Sequence, residues 1–106
     1  MVREIEVVRV YISEEDQGRR RNLMQEIFSR LHDEHRVHGV TVFRGIAGFG
    51  AKGQVHAADL LRLHADLPLV VEFFDDAENV SAALDWLRTL VAPEQIVHWS
   101  AFTAEN

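Results

Sequence analysis

The chain contains no cysteine, which excludes disulfides, thiolate metal sites, iron–sulfur clusters and cysteine nucleophiles. Two prolines and six glycines are too few for a collagen-like or low-complexity chain, and leave a folded globular one. No apolar run approaches the roughly 18 residues that a membrane-spanning helix requires. Residues 1–10 alternate charged and aliphatic side chains, unlike the apolar core of a signal peptide, so a cytoplasmic location is the expectation. Basic residues are also scarce. Eleven against seventeen acids leave a net charge of −6, which argues against a phosphate-tracking surface and hence against nucleic acid as a partner.

What is present is enough hydrophobic residue, 47% of 106, for a single domain spanning residues 1–106. A chain of this mass buries about 65% of its unfolded surface, so one core suffices without staples. Residues 4–12 read as a strand, with Val8, Val10 and Ile12 on one face and Ile5, Val7 and Tyr11 on the other. An acidic turn follows over residues 13–18. From about Arg20 the apolar positions Leu23, Met24, Ile27, Phe28 and Leu31 recur at helical spacing, and Gly39 supplies a left-handed stop. Residues 40–46 and 67–74 are two further strands, with Pro68 tolerated at the start of the later one.

Asp75 and Glu78 suit a capping box for a second helix, apolar at Val80, Ala83, Leu84, Leu87 and Val91, that stops before Pro93. Residues 96–103 make the last strand. The order β-α-β-β-α-β predicts an α+β, ferredoxin-like fold: a four-stranded antiparallel sheet with two helices on one face and a long loop between strands 2 and 3. The other sheet face is then bare, yet carries Ile5, Val7, Tyr11, Phe43, Val70 and Phe74. An apolar patch of that size marks an interface, so a homo-oligomer that covers the sheets is expected.

About twenty residues, 47–66, join the middle strands, where a hairpin takes about two to five. Gly45, Gly48, Gly50 and Gly53 allow backbone N–H groups to converge on an anion, and Arg44 and Lys52 add charge-assisted contacts to phosphate or carboxylate. The spacing is neither a Walker loop nor a dinucleotide fingerprint, and the same composition also suits a surface loop in which glycines only make turns. Arg19, Arg20 and Arg21 at the first helix are balanced either by Glu14, Glu15 and Asp16 or by a bound anion. His32, His35 and His38 follow one another at three-residue steps, which favours a helix C-terminus and leaves divalent metal as a rival reading. No serine sits in a nucleophile elbow and no acid–base pair stands out, so an enzyme is not expected.

Residues Thr41 to Gly50, followed by His56, Leu63 and Asp66 to Glu72, resemble domain of unknown function 190, a family placed with the PII-like signalling proteins. The resemblance runs nearly end to end. Gly48-Phe49-Gly50 through Lys52-Gly53 is similar to the Gly-Phe-Gly-x-x-Lys-Gly stretch that opens the long loop of PII proteins, one residue shorter. It implies a homotrimer that holds a small anionic effector, an adenine nucleotide or a relative, in clefts between subunits. It also implies a loop that touches a partner such as a membrane transporter or an enzyme. On this reading Arg44, the backbone of Gly48 and Gly50, and Lys52 hold the anion, Phe49 packs or stacks, and His56 is a secondary contact. No tightly bound cofactor and no metal ligand is assigned. The sole tyrosine, Tyr11, lies in the first strand, so tyrosine modification on the loop is not expected. The alternative is a divalent-metal-binding trimer resembling the CutA branch of the same fold.

Overall fold

The computed structural model describes residues 2–18, 21–49, 55–57 and 66–104, the segment 55–57 by its backbone. Alternation makes residues Arg3–Ser13 a strand, β1. Its even face places Val8, Val10 and Ile12 under the helices and its odd face carries Ile5, Val7, Arg9 and Tyr11. Helix α1 (Leu23–Arg30) begins on the first residue of its apolar pattern rather than near Arg20, because the Asn22 side chain accepts the Gln25 N–H at 2.8 Å and fixes the N-cap there. Arg21 therefore precedes the helix, with its guanidinium on the Ser29 hydroxyl at 3.2 Å.

The helix runs into one π-turn, Leu31–His35, and ends on Arg36 at φ 50° rather than on Gly39. Gly39 instead opens β2 (Gly39–Arg44). A left-handed arginine is strained, so Arg36→Gly is expected to stabilise the fold by about 1 kcal/mol, read as a raised urea midpoint at unchanged slope. An unchanged or lowered midpoint would contradict that strain.

The long connection opens as a ribbon: β3 (Ala47–Phe49) pairs antiparallel with β4 (Val55–Ala57), Gly48 standing opposite His56. β5 (Pro68–Asp75) follows, then α2 (Ala77–Leu87), a short turn at Pro93–Gln95, and β6 (Ile96–Thr103). Among the described residues, the main sheet has the order β2-β5-β1-β6 with every neighbouring pair antiparallel, a ferredoxin-like α+β fold. No described helix is long and apolar enough to cross a membrane.

The core lies between the helices and one sheet face. Val80, Ala83, Leu84, Leu87 and Val91 all bury against Val8, Val10, Val71 and Phe73, each large aliphatic contributing about 1.5–3 kcal/mol. Phe28 departs from the expected stripe and stays 41% exposed, since Leu23, Ile27 and Leu31 at four-residue steps already fill α1's inner line. The capping of α2 also differs. Asp76 is its N-cap, without a side-chain cap bond, and Asp75 ends β5 in the buried layer. The Asp75 carboxylate accepts the Asp76 N–H at 2.6 Å and Asn79 Nδ2 at 3.0 Å, while the same amide reaches His35 O at 2.9 Å, tying α2 to the end of the first helix.

Candidate functional site

The site is built where β1 and β2 end and β5 begins. Gly45 donates its N–H to Pro68 O at 2.8 Å. A Cβ at Gly45 would lie 2.7 Å from Pro68 Cγ and one at Gly48 3.2 Å, so the two glycines seat the long connection directly on the proline ring. This is a packing reason for both glycines. Arg44, the last residue of β2, is 63% exposed and its Nε donates to the Glu14 carboxylate.

Glu14 belongs to the acidic turn after β1, which is braced from both sides. Its N–H donates to Leu67 O at 2.9 Å, Ser13 N–H to Asp16 Oδ2 at 2.8 Å, and Glu15 N–H to Asp66 Oδ1 at 3.0 Å. The residues expected at the site divide accordingly. Gly48 sits on Pro68 beside Gly45, Arg44 pairs with Leu69 one residue further along β5, Phe49 is 76% exposed at the end of β3, and His56 is Gly48's register partner. Gly50 and Lys52 lie outside the described residues.

Phe43 and Arg44 are consecutive on edge strand β2, so they serve opposite faces of the sheet. Phe43 belongs to the face without helices, where Tyr11, Phe43, Val97 and Trp99 remain between 41% and 46% exposed. In the middle of that face Arg9 and Glu72 stand opposite each other on β1 and β5, with Arg9 Nε donating to Glu72 Oε1 at 2.7 Å. The guanidinium also lies 5.9 Å from the Phe43 ring centre and 5.7 Å from that of Trp99, within cation–π range. The hydrogen bond to Glu72 raises the Arg9 pKa above its already high ordinary value, so this cation persists at any working pH.

Sequence reading missed this pair and the Glu14 contact. A signal for the first exists: Arg9 interrupts Ile5, Val7 and Tyr11, and Glu72 interrupts Val70 and Phe74, each at the centre of an apolar face. The helix-end histidines do not converge. His32 Nδ1 meets Asp33 at 2.8 Å, His35 packs on Trp86, and His38 stacks on Phe74 with Nε2 3.8 Å from Asp75. Among the described residues no three potential ligands gather for a metal ion.

Two helices over one face of a β2-β5-β1-β6 sheet, with a long link rooted at its edge, is the architecture of the PII-like proteins. More narrowly, the chain belongs to the DUF190 family, described as uncharacterized ACR, whose model matches residues 5–101. A UPF0166 protein of Methanocaldococcus jannaschii is 31% identical over 85 residues, 80% of this chain and 77% of that one. CPII of Thiomonas intermedia K12, solved with ADP and bicarbonate, superposes with a TM-score of 0.70 at 13% identity, covering 99% of this chain and 93% of its own. CutA of Archaeoglobus fulgidus, a divalent cation tolerance protein, superposes with a TM-score of 0.58 at 11% identity, over 96% and 86% of the two chains. At these identities the two structures share the fold.

Proposed function

We propose that this chain is a non-enzymatic, PII-like regulator that assembles as a homotrimer and binds a small anionic effector, an adenine nucleotide by preference, at the root of its long connection. The observation that carries this reading is the placement of Phe43 and Arg44 on edge strand β2. A second copy that covers the bare face must approach Phe43, and in doing so it reaches the edge beside Arg44, Gly45 and Gly48. An effector cleft between subunits follows from that adjacency, with the neighbouring copy supplying what one chain leaves open.

ADP bound to CPII, on the same fold, supports the nucleotide class. Effector binding at the root of the connection would change the surface it offers to a partner protein, a transporter or an enzyme, in the cytoplasm. The metal-binding alternative draws support from the fold of CutA, whereas the three helix-end histidines each engage a different neighbour.

Two measurements on the purified chain test the proposal. Light scattering at micromolar concentration is expected to give three times the chain mass, and a monomeric mass would remove the assembly. Isothermal titration with ATP, ADP and AMP is expected to show heat for at least one. Silence with all three would remove the nucleotide.

A further inference from the structure

Arg44 is the described cation at the root of the connection, and it is already engaged. Glu14 reaches it from a turn thirty residues earlier, across the start of β5. The other acids of that corner act differently: Asp16 and Asp66 turn their carboxylates inward to the N–H groups of Ser13 and Glu15 and hold the turn's shape. Glu14 is held by its backbone, through its N–H to Leu67 O, so its side chain can leave Arg44 without unravelling the turn. A carboxylate on a fixed stem, bonded to a guanidinium that is otherwise mostly exposed, occupies the position a ligand's anionic oxygen would take.

We propose that Glu14 is an internal competitor for the effector site: it neutralises Arg44 in the free chain, and an anion binds Arg44 by displacing it. This rests on the effector reading above. The competitor lowers the affinity of every anion that uses Arg44 by the same factor, because the same contact is broken each time. A phosphate chain that offers several charged oxygens replaces the lost carboxylate and adds contacts to backbone N–H groups, whereas a single carboxylate merely exchanges like for like. The device thus raises the concentration at which any anion fills the site, while the preference for polyphosphates over monocarboxylates comes from their added contacts. An exposed ion pair of this kind is worth about a two- to fivefold change in affinity.

The test is a double-mutant cycle on the full chain, with ADP as the probe and equilibrium dialysis as the readout up to millimolar ligand. Thermal melts of each variant confirm that it is folded. Glu14→Gln keeps the shape of the side chain and is expected to tighten ADP binding about two- to fivefold. Arg44→Gln is expected to weaken binding at least tenfold, and adding Glu14→Gln to it is expected to restore nothing. Equal tightening in both backgrounds would show a general field effect and overturn the competitor. Wild-type binding that Glu14→Gln leaves unchanged or weakens would also overturn it, while the effector reading stands. Absence of binding in the wild type and in Glu14→Gln would instead remove the effector reading, and the competitor with it.

Discussion

Glu72→Met is expected to break the proposed assembly at concentrations where the wild type, on that proposal, is fully associated. In the proposed assembly, Arg9 and Glu72 would pass from partly exposed to buried among Phe43, Trp99 and the side chains of the neighbours. A buried pair is weakly favourable as a pair, but a lone cation left in its place costs about 3–5 kcal/mol. That penalty weakens association by roughly a hundredfold to a few thousandfold. Methionine fills the space of the glutamate without offering an acceptor, so lost packing is a minor part of the effect.

The companion variant Arg9→Met/Glu72→Met removes both charges and is expected to associate about as well as the wild type, with less control over stoichiometry. Sedimentation velocity across a concentration series reads all three proteins. If Glu72→Met associates as tightly as the wild type, the pair does not lie in the interface.

Phe73→Ala carries the second large effect, and it falls on the fold rather than on the assembly. Phe73 is wholly buried between the helices and the sheet, against Val8, Val10 and Leu87. Removing a buried aromatic ring costs its transfer energy plus the cavity left behind, about 3–5 kcal/mol. A domain of this size holds only about 5–15 kcal/mol in total, so the midpoint of thermal unfolding should fall by about 15 °C or more.

The adjacent Phe74 points to the opposite face, where it meets Gly39 and His38. Phe74→Ala is expected to lower stability in a way that depends on protein concentration, as association is linked to folding. Phe73→Ala should instead lose its stability at every concentration. A Phe73→Ala loss below about 1 kcal/mol would mean that the core can close over the gap.

Much of the fold was legible because periodicity is a local property of the chain. Four apolar positions of α2, Val80, Ala83, Leu84 and Leu87, and the two faces of β1 follow from spacing alone, whereas Val91, expected on the same helix, is buried in the turn beyond its end at Leu87. The departures occur where a neighbour in space competes with the local pattern. Asn22 captures a backbone N–H and starts α1 after Arg21. Arg36 takes a left-handed conformation that Gly39 was suited to, because Gly39 is needed in the sheet against Phe74. The glycines of the connection were legible as special residues, but their seat on Pro68 was not, since twenty residues separate Gly48 from that ring.

By itself the sequence determined the class of fold, the bare apolar face and the oversized link, because composition and period dictate which side chains must leave water. Only the tertiary structure decided which charges meet. Arg9 finds Glu72 and Arg44 finds Glu14 through the register of β1 against β5 and of β5 against β2. Register depends on packing both faces of the sheet at once, and a one-residue slip would send every one of these side chains to the wrong side.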